Sequence, residues 1–306
     1  MRVPRLRGRQ EVGLLEKYQR HALENVLFAL TVGGLSQRQV VQWGRRFLGG
    51  TLSPATLGAV LAQAQQEIER RRQAPLTSRS YVALVVDGVH LRYRRCLHAG
   101  PRQGVLLVAV GVRGDGKFQV LDWLAAPQET AEAYARLLMQ LFTRGLEEAA
   151  LIVSDGADAI TAAAAMVYPP AAHQLCLAHW FRLLEDLMPA LHQARRRKFR
   201  REFWWIWEAD EESQLRRWAA SFCPSADGFW APRMVEKFQA ELPRILAYLR
   251  CPSADGWRHR LRTTNLAEGF FRHLRRYLGR FPGCVDPGHS EQVLGCFILA
   301  CEQPHA

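Results

Sequence analysis

The sequence predicts an α/β fold, a mixed sheet flanked by helices, and three observations carry that expectation. Residues 82–86 and 150–153 are apolar, β-branched runs, the pattern of strands buried on both faces. Residues 104–112 and 118–124 read as two further strands joined by the tight turn Gly114-Asp115-Gly116. Helical periodicity then alternates with strand pattern: Tyr134, Leu137, Leu138 and Leu141 share one face of a helix over 129–144. An Ala-rich helix over 157–167 and a short strand over 171–175 follow. Antiparallel strands followed by a helix–strand alternation give a mixed sheet covered by helices.

Ahead of the sheet, residues 1–10 form a basic arm with Arg2, Arg5, Arg7 and Arg9. Three short helical patterns follow, over 11–31, 37–48 and 53–72. Gly33-Gly34 and Gly49-Gly50 separate them, Ser36 caps the second, and Ser53-Pro54 starts the third. A helix-turn-helix module and a simple helical bundle fit this pattern equally well. After the sheet, residues 177–258 are helical and rich in aromatic side chains, with a charge run through Arg195, Arg196, Arg197, Lys198, Arg200 and Arg201. Most of the tryptophans are expected in a core, since aromatic residues at helical spacing usually pack. The hexapeptide Cys-Pro-Ser-Ala-Asp-Gly occurs at 223–228 and again at 251–256, and both copies read as turns. The expected organisation is a helical DNA-binding module over 1–74, a first core segment over 75–176, a helical insertion over 177–258, and a second core segment over 259–306.

Composition narrows the function. A hydrophobic content of 48% with 23% charged residues fits a globular chain rather than a disordered one. No apolar run reaches the roughly 20 residues a bilayer requires, and the basic N-terminus lacks a signal-peptide core, so a cytoplasmic location is expected. Seven cysteines without a framework spacing argue against structural disulfides. The net charge of +12 is carried mainly by Arg, whose planar fork suits phosphate, so nucleic acid is the first partner to consider.

The candidate chemistry lies in the acids. Asp87-Gly88 ends the first buried strand, and Asp155-Gly156 ends the second in the same manner. A single Asp-Gly pair is an ordinary turn; two at the ends of core strands point to carboxylates converging on a cation. A third acid, Glu268, falls in the first turn of a helix entered through Arg262-Thr263-Thr264-Asn265. Arg272 and Arg275 lie four and seven residues further along its face. That face reads either as a surface ion pair or as a metal ligand beside arginines that hold a phosphate backbone.

Four segments together resemble the Mutator-like/IS256 family of DDE transposases. They are Val86-Asp87-Gly88, Val153-Ser154-Asp155-Gly156, Cys176-Leu177-Ala178-His179, and Arg262-Thr263-Thr264-Asn265 leading to Glu268, with Gly279-Arg280-Phe281-Pro282 downstream. The likeness covers roughly residues 75–300, and the spacings agree, Glu268 following Asp155 by 113 residues (268 − 155). The resemblance implies a ribonuclease-H-like core with an all-α insertion before the glutamate. It implies Asp87, Asp155 and Glu268 as a triad holding two magnesium ions, for which manganese can substitute. It further implies DNA contacts by Arg272, Arg275, Arg276, Arg262, Asn265, Arg196 and Arg197. Cys176 and His179 match a family signature and read either as packing behind the site or as half of a zinc site. The implied partners are double-stranded DNA, both element ends and target, and a second copy of the chain; in a prokaryote the location is the nucleoid. The implied reaction is cleavage at terminal inverted repeats and 3′-hydroxyl strand transfer. A DNA-binding regulator, or a nuclease without strand transfer, is the alternative. The region before the core is short for the family, which leaves end recognition to a single module.

Overall fold

The computed structural model describes residues 39–42, 54–92, 103–187, 193–208, 211–225, 232–251, 258–280 and 294–298. The expected basic arm, the first helix and most of the second therefore lie outside the described residues. The chain forms two compact units: residues 1–74, 92–102 and 272–306 in one, residues 75–91 and 103–271 in the other. In the first, helix α1 (Pro54–Gln73) begins at the proline anticipated at its first position and ends on Arg70, Arg71 and Arg72. Glu67 pairs with Arg70 at 2.8 Å and Arg71 at 2.9 Å, which lowers its carboxyl to about 2. Ile68 is buried and packs where a side chain on Gly295 would stand.

The second unit is built on five strands: β1 (Ala83–Arg92), β2 (Gln103–Val112), β3 (Phe118–Ala126), β4 (Leu151–Ser154) and β5 (Ala172–Leu175). Their order across the sheet is β3-β2-β1-β4-β5. The β2–β3 hairpin is antiparallel, with a register shift at Ala109/Val110, whereas β1–β4 and β4–β5 are parallel. The chain leaves the hairpin, crosses through α2 (Ala131–Thr143) to lay β4 beside β1, and crosses again through α3 (Asp158–Val167) to add β5. The Thr130 hydroxyl accepts the Ala133 N–H and caps α2, so that helix starts two residues later than its periodicity implies. Buried Tyr134, Leu137, Leu138 and Leu141 of α2 meet Leu84, Val86, Leu107, Ile152 and Ile160 in one core. These strands read as continuous apolar runs because both of their faces are covered.

Five more helices complete the unit: α4 (Leu177–Leu187), α5 (Gln193–Ile206), α6 (Glu212–Ser225), α7 (Pro232–Ile245) and the start of α8 (Asn265–Arg280). Trp180, Phe181, Phe199, Phe203, Trp207 and Phe238 form a second buried cluster there. Phe181 and Phe203 are centred 4.6 Å apart, and Trp180 and Phe238 5.1 Å apart, the spacing of packed rings. Core placement thus holds for these aromatic side chains; Trp205, about half exposed, instead stacks on Trp218 at 4.3 Å. The buried Gln174 amide of β5 ties this layer to the sheet. It donates to the Ile245 carbonyl at 2.8 Å and accepts the Tyr248 N–H at 2.8 Å. The first copy of the repeated hexapeptide begins inside α6, and Cys251 of the second follows a short 3₁₀ turn (Ala247–Arg250); their remaining residues are outside the described ones. Cys176, Cys251 and Cys296 are buried and carry no disulfide.

Candidate active site

The sheet register brings the two aspartates together. Leu84 pairs with Ile152 and Val85 with Val153, so two residues further along both strands Asp87 stands level with Asp155. Neighbouring strands run about 4.8 Å apart. Each aspartate accepts a nearby backbone N–H. Gly88 N–H donates to Asp87 Oδ1 at 2.9 Å, and Ala157 N–H donates to Asp155 Oδ1 at 3.0 Å. Gly156 has φ +83, a conformation that glycine adopts without strain, and Leu175 Cδ2 would lie 2.2 Å from a Cβ there. Asp155-Gly156 is thus the turn after β4, whereas Asp87-Gly88 lies inside β1, which runs on to Arg92 rather than ending at the aspartate as the apolar run implies.

A third carboxylate sits with them, and sequence reasoning missed it. Glu129 Oε1 lies only 2.2 Å from where a Gly88 Cβ would be, so the glycine exists to let this side chain through. Burial pushes the Glu129 carboxyl up, His90 at 4.0 Å opposes that, and the Asp155 charge adds to it. Tyr134 Oη stands 3.2 Å from the same point, and burial together with Glu129, Asp155 and Asp87 drives its hydroxyl well above the ordinary range. The tyrosine thus registers all three acids at once. In sequence, Glu129 stands one residue before a helix cap, a place where acids are common.

Behind the Asp155 turn lies a second network that runs from Ser154 to Arg244, 90 residues apart in sequence (244 − 154). Arg244 Nη2 donates to His173 Nδ1 at 3.2 Å and to Thr161 Oγ1 at 3.1 Å. Arginine cannot accept, so His173 Nδ1 accepts and Nε2–H donates to Ser154 Oγ, 2.7 Å away. Ser154 Oγ in turn accepts the Gly156 N–H at 3.1 Å. Burial, then the Arg244 charge, lowers His173 to about 4, so it stays neutral and holds the serine.

Glu268 occupies the first turn of α8, as its spacing implies, and its N–H donates to the Thr264 carbonyl. Its carboxylate faces Arg182 of α4, with Oε1 3.9 Å from Nη2, rather than an arginine of its own helix. Among the described residues, no group of three His, Cys, Asp or Glu side chains stands in a geometry that could hold a metal ion. The structure thus joins Asp87 with Asp155 and leaves Glu268 outside that pair.

Cys176 immediately precedes α4, and His179 lies in its first turn. The buried Cys176 Sγ accepts the Thr264 N–H at 3.3 Å and meets Thr264 Oγ1 at 3.4 Å, so it grips the residue from which α8 starts. Burial raises the thiol, but contact with His179 and the bonds from Thr264 outweigh it and hold Cys176 below its ordinary range. Contact with Cys176 raises His179 against its own burial, and the Asp87 charge adds to the rise. His179 Nδ1 is nonetheless buried without a hydrogen-bond partner of good geometry.

Of the basic residues, Arg272, Arg275 and Arg276 are exposed on α8 and Arg197 is exposed on α5; the Arg196 side chain is outside the described residues. Arg262, in the 3₁₀ segment before α8, donates to the Trp207 carbonyl. Asn265 opens α8, is exposed, and donates its N–H to Thr263 Oγ1.

Two carboxylates, one inside β1 and one just past the end of the parallel β4, define an α/β protein with paired acids on its sheet. The family described as "Transposase, Mutator family" matches residues 1–284, and the chain belongs to that family. It is 30% identical over 271 residues to the transposase for insertion sequence element IS6120 of Mycolicibacterium smegmatis, covering 87% of this chain and 80% of that one. The transposase for insertion sequence element ISRM5 of Rhizobium meliloti is 27% identical over 288 residues, covering 90% of this chain and 68% of that one. The transposase for IS1201 of Lactobacillus helveticus is 25% identical over 301 residues, with coverage of 97% and 78%. A chain of the Drosophila P element transposase strand transfer complex is matched at a TM-score of 0.42 and 10% identity, covering 93% of this chain and 92% of that one, a likeness too slight to argue from. No helix among the described residues is long and apolar enough to cross a membrane.

Proposed function

We propose that the chain is an active transposase that binds the terminal inverted repeats of its element, nicks them to free 3′-hydroxyls and joins those ends to target DNA. The core on which it does so is ribonuclease-H-like, and the carboxylates are Asp87, Asp155 and Glu268. One observation carries the reading: the register of β1 against the parallel β4 sets Asp87, inside β1, level with Asp155, just past the end of β4.

The donor set fits a hard divalent cation. Asp87 and Asp155 offer carboxylate oxygens, and burial with like charge nearby already raises Glu129, a state that a cation relieves. Magnesium, when bound, supplies Lewis acidity for phosphoryl transfer, generating a nucleophile and stabilising a leaving oxygen. The residues do the rest. Gly88 and Ala157 N–H groups orient the two aspartates, and Ser154, His173 and Arg244 brace the Asp155 turn. Arg272, Arg275 and Arg276 clamp the phosphate backbone, and Arg182 releases Glu268 toward the aspartates when a phosphate competes for its guanidinium. Two copies, one on each element end, make the working unit.

A regulator that binds DNA without cutting is the second reading, favoured by the Glu268–Arg182 contact. A magnesium-dependent cleavage and strand-transfer assay on DNA carrying the flanking repeats separates the two. Wild type cleaves and transfers, and Asp87→Asn does neither; nicking that survives Asp87→Asn removes the metal assignment.

A further inference from the structure

Arg244 stands in the last turn of α7, the helix that carries Phe238 into the aromatic core, yet its guanidinium reaches the sheet. Nη1 donates to Glu241 Oε2 at 3.1 Å, one turn back along the helix, which steadies the fork. Nη2 carries two hydrogens, and they meet two acceptors, His173 Nδ1 at 3.2 Å and Thr161 Oγ1 at 3.1 Å. The two paths that start there end on one residue. His173 Nε2–H holds Ser154 Oγ, which accepts the Gly156 N–H at 3.1 Å. The Thr161 hydroxyl donates to the Gly156 carbonyl at 3.4 Å. A single guanidinium nitrogen thus grips both backbone polar groups of Gly156.

Those groups belong to the two peptide planes on either side of Gly156. The N–H lies in the plane shared with Asp155, and the carbonyl lies in the plane shared with Ala157. Peptide planes are rigid, so holding the carbonyl also aims the Ala157 N–H, the group that donates to Asp155 Oδ1 at 3.0 Å. Gly156, at φ +83, has no side chain to restrict its own rotation, so both planes take their orientation from outside. Docking of α7 on the sheet does not require these bonds. Gln174 already donates to the Ile245 carbonyl and accepts the Tyr248 N–H, each at 2.8 Å. We infer that Arg244 is the positioning residue of Asp155: through His173 and Ser154 on one path and Thr161 on the other, it aims the carboxylate and so sets the affinity of the chain for a divalent ion. Groups that orient a metal-binding side chain commonly change metal affinity by about 10–100-fold. This role rests on Asp155 holding such an ion, and it puts a determinant of metal affinity on a helix that carries no ligand.

The experiment follows manganese binding by the full-length protein without DNA, by electron paramagnetic resonance, beside amide hydrogen exchange of residues 154–158 in EDTA. Arg244→Gln and Thr161→Val each weaken manganese about tenfold and raise exchange in that segment with no metal present. Thr161→Ser, which keeps the hydroxyl, binds as wild type does. Thr161→Val changes no charge and little volume, so it carries the test if Arg244→Gln does not fold. A lower melting temperature in Arg244→Gln with unchanged manganese affinity would mean that Arg244 only staples α7 to the sheet, and overturns the inference. So does equal weakening in Thr161→Val and Thr161→Ser, since the hydroxyl would then be irrelevant. Asp155→Asn separates the two levels. If it binds manganese as wild type does, the metal reading of Asp155 fails and the role of Arg244 fails with it; unchanged affinity in the Arg244 and Thr161 variants alone leaves the metal reading standing.

Discussion

Asp87 and Asp155, 68 residues apart in sequence (155 − 87), stand at one level on adjacent parallel strands, two positions beyond the Val85–Val153 pair. Two like charges so placed repel in the absence of a cation, by about 1 kcal/mol in a half-exposed setting. Asp155→Asn is therefore expected to raise the melting temperature in EDTA by about 2–3 °C. The same change lowers magnesium-dependent cleavage at least about a hundredfold. Thermal scans with and without magnesium, beside the cleavage assay, check both halves. Loss of activity with a lower melting temperature would mean that the aspartate is structural.

Gly88 is small because Glu129 occupies the space its side chain would take. Gly88→Ala forces that flexible carboxylate aside and costs about 1 kcal/mol. In a Glu129→Ala background the same substitution is nearly neutral. A double-mutant cycle by urea unfolding measures the coupling, and equal costs in both backgrounds would show that the glycine serves some other contact.

His173 gives the fold a signature in pH. Its folded value of about 4 lies below the unfolded 6.5. Between those values the unfolded chain binds a proton that the folded chain refuses. The contribution is therefore whole above pH 6.5 and is lost as pH falls toward 4, up to about 3 kcal/mol in all. His173→Gln flattens stability across that window relative to wild type, measured by chemical unfolding at pH 7, 6, 5 and 4.5. Parallel curves would show that the imidazole is not held neutral.

Cys176 holds the start of α8 through Thr264. Cys176→Ala leaves the buried Thr264 N–H and hydroxyl without that partner, a loss of about 1–3 kcal/mol, whereas Cys176→Ser keeps a group that accepts. Hydrogen exchange is expected to rise in the first turn of α8 in the alanine variant and to stay low in the serine variant. Unchanged exchange in both would separate the cysteine from the glutamate helix.

Much of this was legible in sequence because the signals are local. The buried strands announce themselves as β-branched runs, Asp155-Gly156 as the end of one of them, and the Thr264-Asn265 step as the start of a helix; Asp87-Gly88 lies inside β1, which continues past its apolar run to Arg92. What was hidden depends on pairings between distant segments. Glu129 joins the aspartates only because α2 packs its Tyr134 face against β1, and its sequence neighbourhood is that of any helix start. His173 and Arg244 meet across 71 residues, and nothing in either neighbourhood signals the other. The partner of Glu268 came from α4 rather than from its own helix, since spacing along α8 lists neighbours on one helix and not those that pack against it.

The claim at the centre is that Glu268 completes a divalent-ion site with Asp87 and Asp155 once DNA is bound. Counting bound manganese by electron paramagnetic resonance on the protein with repeat-end DNA tests it most directly. Two ions per chain in wild type, with at least one weakened by about tenfold or more in Glu268→Gln, is the result the account predicts. Identical stoichiometry and affinity in the two proteins would contradict it.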